Sequence, residues 1–407
     1  MSPVKKLCKP FKALLANPMY AQSIVSPPYD VPTRQEAKAL AMNNPHSFLH
    51  ITRSEINLDD GVKDNDERVY AQSKIQFEKA IQTKLLLHEQ TLGVYPYQIA
   101  KGTFTQTGII ALFSLEAYRM GRIAKHELIK PDKEKDRAIQ LNTLQAQPSP
   151  VLLTVPTDKA FNRLLNSCVA KPLSLEVVDS EGYFHRLWKI TDSDLVQTIC
   201  LQIESCNQLF IADGHHRTSA ANNISEHHSP IHNDRFDYFL AGLFPAEEMI
   251  IQEYNRGILP NLGISAEQLL ASLQSVVALT ACEKPKFINP GHCAVCILNR
   301  WYIFSFNQSD NKNPVDSLDV SKLSQQILSP LFGISDLRKD TRIEFIGGKS
   351  FDLIEAKVRN AELLAGFALH PTPIHSMIEV SRAGELMPPK STWFTPKLLD
   401  GLLVHCY

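Results

Sequence analysis

One stretch, Leu209 to Thr218, limits what this chain can fold into more than any other. Its apolar start, Leu209-Phe210-Ile211-Ala212, has the length and bulk of a buried strand. The run stops at Asp213-Gly214, a pair suited to a tight turn because glycine tolerates a positive φ. From Thr218 through Ile224 the residues read as the start of a helix, which leaves His215, His216 and Arg217 between strand and helix. The first N–H groups of a helix lack intrahelical acceptors and favour anions. A guanidinium beside them adds a planar fork that matches phosphate. Asp213, Gly214, His215, His216, Arg217 and Thr218 are therefore read as a phosphate or nucleotide site. The competing reading is a structural turn whose histidines bond nearby carbonyls.

Bulk properties narrow the partners. Lys and Arg number 42 against 43 Asp and Glu, a net charge of −1, so no field steers nucleic acid or an anionic membrane. DNA is not expected as a partner. The first residues lack a signal-peptide core, and no apolar run is long enough to span a bilayer, so a cytoplasmic protein without membrane attachment is expected. The 8 cysteines are scattered as reduced thiols are. Cys293 and Cys296 fall in a run that reads as a strand, where positions three apart face opposite ways, which disfavours a metal or redox pair. His227, His228 and His232 read as a solvated polar loop.

With 407 residues the chain has room for two or three domains. Early on, Pro27-Pro28-Tyr29-Asp30-Val31-Pro32 forbids a helix and fixes the directions of Tyr29 and Asp30. Thr33 and Glu36 form a capping-box pattern ahead of a helix, and a longer helix is expected over residues 66–86. Two or three strands follow between Val94 and Tyr118. The polar run from Ile123 to Arg137 is the second candidate site. Lys133, Asp136 and Arg137 share one face of a helix expected over residues 133–145. His126 and Glu127 precede it as an acid/base pair, although a solvated charged face accounts for the same pattern. Asn255, Arg256 and Lys390 are candidates for substrate contact or closure, together with Tyr29 and Asp30. Lys390-Ser391-Thr392 lacks the glycines of a phosphate loop. Dinucleotide, nucleophile-elbow and zincin motifs are missing too, and no flavin, NAD, haem or structural zinc is expected.

The pieces Lys9-Pro10-Phe11-Lys12-Ala13, Pro27 to Val31, Lys125-His126-Glu127 with Lys133 and Asp136-Arg137, Ala212 to Arg217, Tyr254-Asn255-Arg256 and Met387 to Lys397 with Gly401-Leu402 carry a resemblance. In this order they resemble the bacterial and archaeal family called domain of unknown function 1015. Asp213 to Arg217 also looks like the phosphate-holding turn of the ParB/sulfiredoxin-like superfamily, which includes partition proteins, sulfiredoxins and free-serine kinases. Sulfiredoxins need a cysteine inside this turn, where His215 or His216 stands here, so the kinase branch fits best.

The resemblance implies a mixed α/β (α+β) fold with helices around the sheets and a ParB/sulfiredoxin-like core around residues 94–256. The expected parts are an N-terminal segment, 1–93, packing on a core of 94–258, and a C-terminal α/β domain, 259–407, closing over the site. The expected function is a nucleotide-dependent phosphotransferase acting on a small hydroxyl-bearing metabolite such as free serine, or on phosphoserine in reverse. Glu127 would be the base, His126, Lys133 and Arg137 would offset charge, and Mg2+ with ATP or ADP would sit near Asp136 or Asp213. Two alternatives stay open: a nucleotide-binding regulatory module, and a metal-dependent hydrolase using Asp213, His215 and His216. A homodimer is compatible with all three.

Overall fold

The computed structural model describes residues 5–228, 234–307, 313–348 and 350–407. It is a mixed α+β protein whose chain divides into two compact units. The first comprises residues 1–125, 129–249 and 396–407, and the second residues 126–128 and 250–395.

The first unit is built on a sheet whose central strand is Phe104–Ser114. Ile109 to Phe113 are all buried, the signature of a strand covered on both faces. Tyr238–Pro245 pairs antiparallel along one edge, Tyr238 opposite Ser114 and Leu243 opposite Ile109. Along the other edge, Tyr95–Lys101 and Cys8–Lys9 share the strand end to end. A Cβ on Gly108 would meet Leu243 O at 2.5 Å, so this approach requires glycine. Val151–Val155 lies parallel beside Tyr238–Pro245, then comes Leu209–Asp213, then Ile123–Ala124. Phe184–Leu187 and Leu175–Val178 complete the far side. Helices Lys159–Val169, Ser193–Glu204 and His215–His228 bury Phe161, Ile199 and Ala220 in the same core as Ile211 and Ala241.

The expected capping box is present. Thr33 accepts from the Glu36 N–H and Glu36 accepts from the Thr33 N–H, which starts helix Arg34–Ala41. The long helix runs Glu67–Gln82 with Asp66 as its cap, shorter than 66–86. Lys84, at φ +57, turns the chain out of the helix, and Leu86–His88 becomes a strand paired with Leu14–Ala16.

In the second unit, Tyr254–Ile258 lies between Ile343–Gly347 and Ala365–Leu369, and His292–Ile297 continues the sheet to Arg300–Ser305 and Thr280–Cys282. Leu298 and Asn299, both at positive φ, make the hairpin turn between His292–Ile297 and Arg300–Ser305. Cys293 and Cys296 are both buried, and burial pushes the Cys296 thiol up to about 12. No described helix is long and apolar enough to cross a membrane.

Candidate functional site

The strand Leu209–Asp213 slips register against Val151–Val155 between Ile211 and Asp213, a bulge that re-aims its last residue. Gly214 then turns at φ +97, and the helix starts at once as His215–His228. This corrects the expected start at Thr218: His215, His216 and Arg217 form the first helical turn. The same helix takes in His227 and His228, whose Nδ1 atoms contact the carbonyls of Asn223 and Ile224. These two therefore do not lie in a loop, while His232 lies outside the described residues.

Within this turn the side chains separate by role. His215 is buried, and His216 Nε2 accepts from the Lys130 N–H at 3.1 Å. Thr218, fully buried, bonds back to Gly214 O at 3.3 Å, so its hydroxyl closes the turn. The Arg217 guanidinium folds over Gly214, and a Cβ there would stand 3.0 Å from its Nε. Arg217 Nη1 donates to Pro150 O, and Nη2 lies 3.7 Å from Asp213 Oδ1. Its Nε is buried and has no acceptor among the described residues. Asp213 Oδ2 accepts from Lys397 at 2.6 Å. Burial raises the Asp213 carboxyl, but Lys397 and Arg217 outweigh it and hold the group below the usual carboxylate range.

Arg137 reaches the same place from helix Pro131–Leu144, which packs on helix His215–His228. Proline at its first position and Gln145 in the left-handed conformation at its end set its limits. Arg137 donates from Nε and Nη2 to Asp136 Oδ2, at 3.0 and 2.6 Å, and from Nη1 to Gln140. Its guanidinium stacks 4.1 Å from the Tyr29 ring centroid. Tyr70 OH donates to the other Asp136 oxygen at 2.6 Å. Lys133, on the same helix, is exposed.

The proline-rich loop is held from outside. Arg53 Nη1 donates to the carbonyls of Tyr29 and Pro32, and the Tyr29 N–H donates to Asp400 Oδ2 at 3.3 Å. Burial, with Asp30, pushes the Tyr29 phenol up against the pull of Arg137 and Arg217. Asp30 itself is exposed and acts on Arg217 through its charge. Tyr29, Arg137, Gln140, Ser149 and Arg217 line one cavity with about 20 Å³ of room, enough for one water.

Sequence reasoning missed three of these groups. Lys397 closes on Asp213, Ser149 lines the cavity, and Asp400 is fully buried. Backbone pairing with Ser26 fixes Asp400, and Gly401, at φ +88 against the Phe48 ring, fixes the turn after it. Burial raises the Asp400 carboxyl to about 7 although Arg217 and Ser149 lower it. Its Oδ1 has no hydrogen-bond partner at normal geometry among the described residues. A lone aspartate in the apolar run Leu398 to Val404 was the sequence signal for it.

The remaining candidates belong to the second unit. His126 is buried, with Nε2 3.4 Å from Thr392 Oγ1, and its carbonyl accepts from the Met387 N–H. Glu127 is partly buried on the same segment. Asn255 bonds Ser350 Oγ and the Leu369 N–H, at 2.8 and 2.9 Å, which pins three elements together. Arg256, buried, donates to the carbonyls of Tyr254, Asn255, Pro389 and Lys390, and desolvation lowers it to about 9. Lys390 Nζ stands 5.6 Å from the Tyr254 ring centroid. Among the described residues no group of three or more His, Cys, Asp or Glu is placed to hold a metal ion.

No curated protein sequence matches the chain. Solved structures similar to it include a free serine kinase in complex with AMP, at 10% identity and a TM-score of 0.39 over 70% of this chain and 87% of that one. Others are a conserved hypothetical protein from Pyrococcus furiosus, at 12% identity and a TM-score of 0.38 over 72% and 93% of the two chains, and C-terminally truncated SbnI from Staphylococcus aureus, at 11% and 0.36 over 72% and 85%. Similarity this low establishes no shared activity. The sequence match is firmer: the model of the family described as a protein of unknown function, DUF1015, covers residues 8–321, well over half of the chain, and the chain belongs to that family.

Proposed function

We propose that the chain is a nucleotide-dependent phosphotransferase acting on a small hydroxyl-bearing metabolite such as free serine, or on phosphoserine in reverse, and that Arg217 and Arg137 hold a phosphoryl oxygen. One observation carries this reading. Two guanidinium groups on two packed helices line one cavity, and Arg217 Nε there is a buried donor without an acceptor among the described residues. An unmade bond of this kind costs about 1–3 kcal/mol, more when charged, and an arriving phosphoryl oxygen would supply the acceptor. The room for one water matches one such oxygen, with the rest of the group outside.

Phosphoryl transfer asks a protein mainly for positioning and for charge opposite the transferring group. Arg217 and Arg137 supply both at one oxygen. Glu127 enters as the base for the substrate hydroxyl, and His126 and Lys133 as accompanying charges, on sequence grounds. Mg2+ accompanies nucleotide phosphates in such chemistry. Asp136 and Asp213 do not fit it, because each spends its carboxylate on Arg137 and Tyr70 or on Lys397 and Arg217.

Calorimetric titration of ATP and ADP with Mg2+, beside a turnover screen with hydroxyl amino acids, tests the proposal. Arg217→Ala weakens nucleotide binding by about tenfold to a hundredfold, the worth of a charged hydrogen bond. Glu127→Gln abolishes turnover and leaves binding. A wild-type protein that binds no nucleotide refutes the reading. A binding module without catalysis is the second reading, favoured by the carboxylate already beside each site cation. It requires full function from Glu127→Gln.

A further inference from the structure

A larger cavity lies elsewhere in the first unit, with a volume of about 360 Å³, within the range of small-molecule sites. Helix Glu67–Gln82 and the turn before helix Leu49–Thr52 form its walls. Ile51, Ala80 and Leu85 supply an apolar surface, and the polar side chains include Tyr20, His46, His50, Gln76, Lys79 and Thr83. None of the lining residues is Asp or Glu.

We propose that this cavity is a second binding site, for a small organic anion whose phosphate or carboxylate meets Lys79 and His46 and whose apolar body lies on Ile51, Ala80 and Leu85. Lys79 makes no ion pair among the described residues, although it heads the last turn of its helix. His46 places Nδ1 3.2 Å from Ser23 Oγ, and its other ring nitrogen has no hydrogen bond among the described residues. The Tyr20 ring packs edge-on against His46 at 5.5 Å and holds the imidazole at the wall. His50 is already committed to Asn57 and Asn44 through both ring nitrogens.

A helix C-terminus usually repels anions. Here three of its last carbonyls are taken. Lys79 O accepts from the Thr83 N–H and hydroxyl, Ile81 O from the Lys84 N–H, and Ala80 O from the Leu85 N–H. The lip of the cavity therefore keeps the Lys79 charge without a row of bare acceptors. An anion there gains a charge-assisted bond to the ammonium and buries apolar surface on the floor. The site is independent of Arg217 and of the phosphotransferase proposal.

Calorimetry or ligand-observed NMR with phenyl phosphate, benzoate and benzyl alcohol on the full chain tests it. Phenyl phosphate or benzoate binds, and benzyl alcohol binds at least about tenfold more weakly. Lys79→Ala and His46→Ala each weaken the anion about tenfold, whereas Arg217→Ala leaves it unchanged. Lys79 is exposed, so its replacement does not threaten folding. The proposal falls if neither anion binds up to about 10 mM, if benzyl alcohol binds equally well, or if affinity survives both variants. Loss with Arg217→Ala alone also overturns it, by assigning the anion to the other site.

Discussion

Replacing Asp400 by Asn stabilises the protein at alkaline pH and leaves it nearly unchanged at acid pH. Asp400 has no exposed surface, and burial raises its carboxyl from the ordinary 3.8 to about 7. The unfolded chain gives up this proton near pH 4, while the folded chain keeps it until about 7. Between those values the folded state binds more protons, so stability falls as pH rises across the window and levels off above it. Each tenfold change in proton affinity is worth about 1.4 kcal/mol, so the full loss at pH 8 is on the order of 4 kcal/mol. Asparagine reproduces the protonated form: its oxygen accepts the Tyr29 N–H, and its amide has Ser149 Oγ beside it. Urea unfolding of both proteins at pH 5, 6, 7 and 8 reads the difference directly. Other titrating groups cancel in the comparison. A difference of equal size at pH 5 and pH 8, or a variant less stable at pH 8, refutes the assignment.

Further outcomes follow from single contacts. Gly214→Ala forces a Cβ to within 3.0 Å of Arg217 Nε at φ +97 and costs about 1–2 kcal/mol, seen as a lowered Tm. Asn255→Ala leaves the buried Leu369 N–H without its acceptor and costs about 1–3 kcal/mol, with faster hydrogen exchange at that amide. His405 is buried against Phe11 and Tyr407 with neither ring nitrogen bonded among the described residues, and desolvation lowers it to about 3. The unfolded chain then takes up the proton first, so this stability is present above pH 6.5 and is lost as pH falls toward 3. His405→Phe flattens that acid limb in pH-dependent unfolding.

Local signals carried the sequence reading where one segment decides its own shape. The apolar run before Asp213 is a strand, Thr33 and Glu36 cap a helix, and Asp136 and Arg137 share a helix face. Boundaries failed where a backbone dihedral decides. Gly214 turns the chain in a single residue, so the helix begins at His215, and Lys84 ends its helix ahead of an apolar run that continues as a strand. Partners failed where the sequence separation is long. Lys397 and Asp213 are 184 positions apart, and Tyr29 and Asp400 are 371 apart. No spacing rule reaches that far. Burial also sorted residues that pattern treated alike: Lys133 faces solvent while Arg137 is taken by Asp136, Gln140 and Tyr29.

The balance of charge in the first unit links its fold to any ligand it takes. Asp30, Asp136, Asp213 and Asp400 stand against Arg137, Arg217 and Lys397, and Asp400 has its titration point near neutral pH. Protonated, Asp400 leaves three carboxylates facing three cations. Ionised, it leaves one negative charge in excess. A phosphoryl group brought to Arg217 adds further negative charge, which Asp400 resists when ionised and tolerates when protonated. On the proposed reading, anion binding at this site takes up a proton at Asp400, and affinity is expected to weaken as pH rises through 7. These groups come from the proline-rich loop, two helices, a strand end and the last stretch of the chain, so ligand, proton and fold share one set of contacts. An anion that binds Asp400→Asn with the same pH dependence as wild type separates them and removes Asp400 from the site.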